Sequence, residues 1–413
     1  MDVRLPAPMR ILFVNHTAAS SGAELALMRL IEGLRDEHSV GLACPAEGPL
    51  TEQADAAGLE RFVVPAFEAS LRPHPLQTPI GVARLGASGV VLARLARRFG
   101  ADLVHANTTR AGLMGAVGLS VADTPLVVRA HEHLPLTPMG KVVRAALARS
   151  ASVVVTVSKD TARRFNEGLA RPVATHVYNS FDRARFDPDR VEPTPIREEL
   201  GIPAGSALLA QVAQITPWKG QDTSIRALAQ VRRDGLDAHL LLVGEIAFAG
   251  PTVRYDNHAF LRDLRGLVER LQVSDAVHFL GRRTDVPGVL RALDLSLLPS
   301  WDEPFANVML ESMAMGTPLL VSEVGGGPEL VEDHVSGRLL PPRHPEAWAA
   351  AIRELLDDPS TLASMGTSAR DATAPFNDEA HARDMLAVYA RVLGRPRLAR
   401  TPEEPREAAP WPG

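Results

Sequence analysis

Two glutamates in one short segment, Glu303-Pro-Phe-Ala-Asn-Val-Met-Leu-Glu311, have a spacing that suits the binding of hydroxyl groups. Pro304 is favourable in the first turn of a helix, which predicts that Glu303 stands just before the helix and Glu311 about two turns inside it. Carboxylates in this setting accept hydrogen bonds from sugar or ribose hydroxyls, and the free N–H groups of residues 306–308 suit phosphate oxygens. Glu311 lies in an apolar run, where an acid needs a partner. The alternative is a capping carboxylate followed by a surface glutamate.

Three further loops combine glycine with charge where a strand is predicted to give way to a helix. The segment Gln214-Ile-Thr-Pro-Trp-Lys219-Gly puts a lysine where a diphosphate would bind, although a solvated lysine is the alternative. In Ser-Ser-Gly22-Ala-Glu the backbone at Gly22 is open to a phosphate, but glycine is also common in such turns without a ligand. The third loop, Val324-Gly-Gly-Gly-Pro-Glu329, has no side chains across its turn.

Two pairs of residues resemble metal ligands without further ligands to support them. His131 and His133 are predicted to share one face at the end of a strand. Asp187 and Asp189 form an acidic pair, but they lie in a proline-rich segment and we treat the spacing as chance. We therefore expect no metal site.

These loops require two parallel sheets to position them, and the alternation of apolar runs with helical stretches predicts two doubly wound α/β units. The predicted strands of the first unit cover residues 11–15, 40–44, 62–64, 103–106, 126–129, 153–157 and 175–178. Those of the second cover residues 208–212, 239–243, 277–279, 295–298, 318–321 and 338–340. Helices are predicted between most of them, for instance at residues 22–35, 82–98, 141–149 and 159–168. Ligands bind at the carboxyl ends of such strands, so we expect two facing crevices.

Prolines near residues 182–203 are predicted to interrupt any regular element and mark the boundary between the units. We expect an amino-terminal domain at residues 1–185, a linker at 186–203 and a second domain at 204–377. A helix at residues 378–394 is predicted to cross back to the first domain, and the proline-rich, charged residues 395–413 are predicted to be disordered.

Composition excludes several classes of function. The net charge of −5 argues against nucleic-acid binding, and a single cysteine, Cys44, fits a reducing cytoplasm. We find no signal peptide and no apolar stretch long enough to span a membrane. Residues 81–100 carry Arg84, Arg94, Arg97 and Arg98, which we interpret as a solvated helix face. Peripheral contact with an anionic membrane is the alternative.

From Gln214 to Pro342 the sequence resembles the carboxyl-terminal domain of glycosyltransferase family 4, a retaining group with the GT-B fold of two Rossmann-like domains facing across a cleft. The resemblance is carried by the Glu-x7-Glu segment 303–311, by Ser312-Met-Ala-Met-Gly-Thr-Pro and by Gly325-Gly-Gly-Pro-Glu. The amino-terminal half resembles the family more loosely, through Ser21-Gly-Ala-Glu24, His131, Val157-Ser158 and Asn179-Ser-Phe-Asp182.

The resemblance implies transfer of a sugar from a nucleotide-diphosphate sugar, with retention, without a metal ion and with no other cofactor. It implies that Lys219 holds the diphosphate, that Glu311 binds the ribose, and that Glu303, with the backbone of Phe305, Ala306, Asn307 and Val308, holds the sugar. Gly281 and Arg282 would lie near the base, with Gly244 also in the donor site. Gly22, Ala23 and His131 would face the donor from the amino-terminal domain, which would bind the acceptor. The implied catalytic residues are Glu303, His131 and Lys219.

Two positions depart from the family pattern. The usual arginine five residues before the lysine is Gln214, so one cation of the phosphate clamp is missing. The usual Asn-Gly-Val-Asp element reads Asn179-Ser-Phe-Asp182. Two alternatives follow: a nucleotide-sugar epimerase on the same fold, and a non-catalytic pseudo-glycosyltransferase. The sequence identifies neither the donor sugar and nucleotide nor the acceptor, for which a cell-surface glycan, a lipid carrier and a secondary metabolite are all open.

Overall fold

The computed structural model describes residues 8–19, 21–66, 77–119, 124–247, 250 and 253–394, and within them the chain forms two parallel sheets flanked by helices. The tail at residues 395–413, predicted to be disordered, lies outside the described residues. In the described part of the chain, no helix is both long and apolar enough to cross a membrane.

The first sheet has seven parallel strands in the order β3-β2-β1-β4-β5-β6-β7. Their bounds are β1 Arg10–Val14, β2 Ser39–Cys44, β3 Glu60–Val63, β4 Leu103–Ala106, β5 Leu126–Ala130, β6 Val153–Thr156 and β7 Ala174–His176. The central strands β4 and β5 are buried along their whole length, as expected for a sheet covered on both faces. The strand order reverses between β1 and β4, which places a crevice at their carboxyl ends.

The helices of this half alternate with its strands. They are α1 Gly22–Leu34, α2 Pro49–Ala56, α3 Gln77–Phe99, α4 Thr109–Gly118, α5 Pro138–Ser150 and α6 Lys159–Asn166. Helix α5 begins earlier than the predicted residue 141, because the Thr137 side chain accepts the N–H of Gly140 at 3.2 Å and Pro138 occupies the first turn.

The second sheet has six strands in the order β10-β9-β8-β11-β12-β13. Its strands are β8 Ala207–Val212, β9 Ala238–Val243, β10 Val277–Gly281, β11 Leu295–Leu298, β12 Leu319–Ser322 and β13 Gly337–Leu340. Its helices are α7 Ile196–Leu200, α8 Gln221–Arg233, α9 Asn257–Arg270, α10 Val286–Arg291, α11 Asn307–Ala314, α12 Gly327–Leu330, α13 Pro345–Leu356 and α14 Pro359–Ala372. One turn of 3-10 helix, Pro217–Lys219, precedes α8. The reversal between β8 and β11 makes a second crevice.

The last helix, α15 (Asp378–Gly394), packs against α1 of the first half. Met385 and Tyr389 of α15 are fully buried in the core of the first sheet, where the Tyr389 hydroxyl lies 2.6 Å from Nδ1 of His105. The chain therefore passes between the halves twice.

The sequence predicts no regular element in residues 182–203, which form the first crossing between the halves. The structure has a short helix there, α7. Pro195 stands at the N-cap of α7, so a proline here starts a short helix rather than interrupting one. Phe186, Ile196 and Ile202 are buried in the core of the second half. The two doubly wound units are confirmed, and every predicted strand is present with its ends shifted by a few residues at most.

Candidate active site

Loops from the carboxyl ends of both sheets meet across a cleft. From the second half, the Asn307 amide donates to the carbonyl of Gly22 at the start of α1, at 3.2 Å. A Cβ at position 22 would lie 3.1 Å from the Asn307 amide nitrogen, so glycine permits this close approach. The loops predicted to carry chemistry therefore lie opposite one another.

A buried ion pair joins two of the predicted catalytic residues. Nζ of Lys219 lies 2.6 Å from Oε2 of Glu303, and the Ser300 hydroxyl donates to the same oxygen at 2.9 Å. Both charged residues are almost fully buried, with Lys219 7% and Glu303 2% exposed. The lysine backbone is fixed as well, because the Gln211 side chain donates to its carbonyl at 2.7 Å. An ammonium and a carboxylate are thus held side by side in the cleft.

The helix after Glu303 begins at Asn307, so the prediction that Pro304 lies in its first turn is wrong. Two glycines explain the difference. The Glu303 carbonyl accepts the N–H of Gly326 at 2.9 Å, and Gly325 packs against that carbonyl so tightly that a Cβ would lie 1.9 Å from its oxygen. This contact engages the Glu303 backbone, so the chain turns into the helix only at Ala306, its N-cap. Glu311 therefore lies about one turn inside α11, not two.

Glu311 is an acid whose ionisation is disfavoured by its surroundings. Burial raises the pKa of Glu311 to about 7, against the opposing influence of the positive charges of Arg29 and Arg185. The two arginines act on Glu311 only through their charge, since the Arg185 side chain donates to the carbonyl of Thr284 at 3.1 Å. Arg29 is held by the carbonyl of Ser180 at 2.7 Å and by Asp378 at 3.4 Å.

His131 follows β5 and contacts Asn107, the residue after β4. Its Nε2 lies 3.3 Å from the Asn107 amide oxygen, so Nε2 is the protonated nitrogen. Burial, with the charge of Arg129, lowers the pKa of His131 well below its ordinary value, which makes the imidazole neutral. His133, by contrast, contacts Asp302 of the other half. Since β5 ends at Ala130, the expectation that the two histidines share a strand face is wrong.

His16, which the sequence analysis missed, lies in the same crevice. Its Nδ1 is 2.9 Å from the Thr108 hydroxyl, and burial together with the charge of Arg110 lowers the pKa of His16 to about 4. Its position two residues after the end of β1 was the available signal, because loops at the carboxyl ends of the strands line the crevice.

Two carboxylates, those of Glu329 and Asp302, also join the two halves, a role that the sequence did not indicate. Glu329 of the triple-glycine loop accepts the backbone N–H groups of Lys159 at 2.8 Å and Asp160 at 2.7 Å, and thus caps α6 of the other half. It also accepts the Tyr178 hydroxyl at 2.9 Å. Asp302 binds His133 and lies 3.2 Å from Arg164.

The other residues predicted to bind the sugar donor lie around this cleft, at the carboxyl ends of strands of the second sheet. Gln214 follows β8, and its carbonyl accepts the Gln221 side chain at 2.8 Å. Gly244 follows β9 with a φ of 144°, where a side chain would collide with Ala213. Gly281 ends β10 and Arg282 is exposed beside it.

Two of the residues predicted to bind the sugar donor make contacts inside the protein. Ala23 accepts the Asn107 amide at its carbonyl, at 3.3 Å. The Phe305 ring is buried 5.3 Å from the ring of Tyr178, so only its backbone is free to face a ligand. Ala306 and Val308 flank Asn307 at the start of α11.

The acidic pair that resembles metal ligands is engaged by an arginine. Asp189 lies 2.6 Å from Arg370 and Asp187 lies 3.5 Å from it. Across the described ranges, no group of three histidine, cysteine, aspartate or glutamate side chains is placed to hold a metal ion.

Two family models match the chain in succession. Residues 20–185 match Glycosyltransferase Family 4 and residues 193–372 match Glycosyl transferases group 1. A D-inositol 3-phosphate glycosyltransferase from Salinispora arenicola is 30% identical over 335 residues, which cover 74% of this chain and 72% of that protein. The enzyme of that name from Corynebacterium glutamicum is 33% identical over 305 residues, covering 70% and 72%.

Solved structures agree with these matches. The crystal structure of Anabaena Alr3699/HepE in complex with UDP-glucose aligns with a TM-score of 0.78 and 26% identity, covering 93% of this chain and all of that one. WaaG, a glycosyltransferase involved in lipopolysaccharide biosynthesis, aligns with a TM-score of 0.66 at 18% identity and so indicates the fold alone. The chain belongs to the group 1 glycosyltransferases, family 4, and its two Rossmann-like halves form the GT-B fold.

Proposed function

We propose that this glycosyltransferase transfers a sugar from a UDP-sugar to an acceptor hydroxyl, with retention of anomeric configuration and without a metal ion. The observation that carries the proposal is the buried Lys219–Glu303 pair, 2.6 Å apart, at the carboxyl end of the second sheet. It lies in the cleft that the start of α1 closes from the other half through Asn307 and Gly22.

The nucleotide binds to the second half in this proposal. The Glu311 carboxylate accepts hydrogen bonds from the ribose hydroxyls, and the base lies near Gly281, Arg282 and Gly244. Support for uridine comes from HepE, 26% identical to this chain, whose structures were solved with UDP and with UDP-glucose.

The sugar is held by Glu303 and by the backbone of residues 305–308, with Nδ1 of neutral His131 accepting a hydrogen bond from the opposite side, since its Nε2 donates to Asn107. Charge-assisted hydrogen bonds of the Glu303 type are stronger than neutral ones and fix the sugar in one orientation. Since Glu303 is already paired with Lys219, it positions the sugar and does not attack it.

In the reaction, the bond between the anomeric carbon and the diphosphate oxygen breaks, and the acceptor oxygen bonds to the same face. The acceptor's proton passes to the departing diphosphate oxygen. Negative charge grows on the diphosphate, where Lys219 and the positive ends of α1 and α11 stabilise it. These fixed groups take the place that a divalent cation has in metal-dependent transferases.

The acceptor binds to the first half, in the crevice lined by His16, Asn107 and His131. The D-inositol 3-phosphate in the names of the relatives is one member of the class of hydroxylated acceptors to be tested. We place the reaction in the cytoplasm, since the lone Cys44 is a free thiol, as in a reducing compartment.

Thermal unfolding with UDP-, GDP-, ADP- and TDP-sugars tests the donor, because a ligand that binds only the folded state raises the melting temperature. We expect stabilisation by UDP-sugars and slow release of free sugar with the donor's configuration. Epimerised donor would indicate the isomerase, and binding without any release would indicate a pseudo-enzyme.

A further inference from the structure

One face of the amino-terminal half is built from helices without a single acidic residue. Helices α3, α4 and α5 contain no aspartate or glutamate, and α4 packs between the other two. The chain as a whole carries a net charge of −5, so this face contrasts with the rest of the molecule. Its cationic side chains are Arg84, Arg94, Arg97, Arg98, Arg110, Lys141, Arg144 and Arg149.

Most of these cations are exposed and unneutralised. Among the described residues, no acidic side chain forms an ion pair with any of six exposed cations, which are Arg84, Arg94, Arg97, Arg98, Lys141 and Arg149. In the second half, by contrast, Arg232 pairs with Asp237 and Asp275 at 3.1 and 2.7 Å. The face thus presents positive charge that the protein itself leaves free for an anionic partner.

The same face exposes aliphatic side chains. Single exposed apolar residues are common, but a group of them on one surface marks an interaction site. Leu136, just before α5, is 76% exposed, which is the largest exposure among the large apolar side chains of the described residues. The others on this face are Ile80 at 54%, Val82 at 63%, Val90 at 49%, Val117 at 43% and Val142 at 63%.

Most of the exposed aliphatic side chains lie toward one end of the helices, whereas the cationic side chains are spread along them. Helices α3 and α5 follow the carboxyl ends of their strands, so their first turns lie at the cleft end of the domain. Ile80, Val82, Leu136 and Val142 lie near these first turns together with Arg84 and Lys141, whereas Arg94, Arg97, Arg98 and Arg149 lie near the far ends. Leu136 belongs to the same loop as His131 and as Glu132, an acid of this loop whose carboxylate accepts the Thr109 hydroxyl at 2.7 Å. The apolar part of the face therefore borders the mouth of the cleft.

We propose that α3, α4, α5 and the loop at Leu136, here called the basic face, dock on an anionic phospholipid surface and bring the mouth of the cleft against it. Arginines bind lipid phosphates, and aliphatic side chains enter the interfacial region. The further step, that the acceptor is carried by a lipid, rests on the proposed function.

A second copy of the chain is disfavoured as the partner, because two basic faces would repel each other. A nucleic acid is disfavoured because the exposed apolar side chains here are aliphatic and offer no ring for bases to stack on.

Co-sedimentation of the full chain with vesicles tests the docking. The vesicles contain phosphatidylcholine alone or an equal mixture with phosphatidylglycerol. We expect binding to the mixed vesicles, weakened by salt. Arg94→Gln/Arg97→Gln/Arg98→Gln and Val82→Ser/Leu136→Ser/Val142→Ser should each lower the vesicle affinity by about tenfold or more. The charge-matched control Arg262→Gln/Arg265→Gln/Arg270→Gln, on exposed positions of α9, should bind as the unaltered protein does.

Three results would overturn the docking: no binding to mixed vesicles, unchanged binding by both variants of the basic face, or an equal loss in the α9 control. Light scattering adds a fourth, since a dimer that these variants dissociate would show that a second copy covers the face. Stabilisation by UDP-glucose is measured in parallel and should be the same in all variants. Its absence from the unaltered protein would count against the proposed function and leave the docking standing.

Discussion

The amide of Asn179 donates a hydrogen bond to the amide oxygen of Asn307 at 3.1 Å, which joins the end of the first half to the first turn of α11 in the second. The orientation of both amides follows from buried Arg129, which donates to the Asn179 oxygen at 2.7 Å. Asn307 in turn donates to the Gly22 carbonyl at 3.2 Å. These hydrogen bonds thus connect β5 of the first sheet with the starts of α1 and α11, which line the cleft.

We expect Asn179→Asp to weaken donor binding, because the carboxylate cannot donate to Asn307 and would repel its amide oxygen. The loss of one hydrogen bond with an unsatisfied partner corresponds to about 1–3 kcal/mol, or roughly a 5- to 150-fold higher KM for the donor. Steady-state kinetics measure this. Asn166→Asp is the matched control, since the Asn166 amide donates to Ala174 at 2.9 Å, a contact within the first half. It should lower the melting temperature and leave KM unchanged; equal KM values for both variants would contradict a role of Asn179 at the cleft.

Lys219→Met should destabilise the fold as well as abolish transfer, because it leaves the buried Glu303 carboxylate without its partner. Removing one member of a buried ion pair costs about 3–5 kcal/mol. The double variant Lys219→Met/Glu303→Gln should recover much of the unfolding free energy, since no unpaired charge remains, yet stay inactive. Denaturant unfolding and donor turnover are the two measurements. A double variant that regains activity would show that neither charge is needed for transfer.

Glu311 should make stability depend on pH. Its pKa is raised to about 7 in the folded state, above the ordinary value of 4.5, so the folded chain binds a proton that the unfolded chain has lost. The free energy of unfolding should therefore fall as pH rises from about 4.5 to about 7 and then level off, by roughly 3 kcal/mol at most. Glu311→Gln should remove this part of the dependence and weaken UDP binding through the ribose. Unaltered UDP affinity in a folded Glu311→Gln protein would take Glu311 out of the site.

The sequence was sufficient to predict the strands, because most are short buried runs such as the Leu-Val-His-Ala of β4, although β3 and β7 at the sheet edge are only partly buried. It was also sufficient to select Lys219 and Glu303 separately. It did not predict their pairing, because that depends on β8 and β11 being neighbours in the sheet, which is a property of the topology. The start of α11 was misplaced because the contact between Gly326 and Glu303 overrides the helix preference of Pro304. Glu329 was noticed only as part of a turn, since its partners at the start of α6 lie in the other half.

The last prediction concerns Gln214, which stands where the family usually has an arginine. We expect transfer to continue in EDTA, because the charge on the leaving diphosphate is met by Lys219 and by the helix starts at Gly22 and Asn307. Such fixed groups act most strongly in a closed site from which water is excluded.

Gln214 can donate through its amide but brings no charge. Gln214→Arg should therefore be tolerated and bind UDP more tightly, by about 1.5–3 kcal/mol for a hydrogen bond to a charged group, with slower product release as the consequence. Gln230→Arg is the matched control, because Gln230 lies near the far end of α8 and its side chain donates to Asp234 at 2.9 Å in an exposed contact away from the cleft. Titration calorimetry with UDP and turnover with and without EDTA measure both effects. Activity that EDTA abolishes and manganese or magnesium restores would overturn the metal-free mechanism, and a product of inverted configuration by proton NMR would overturn retention.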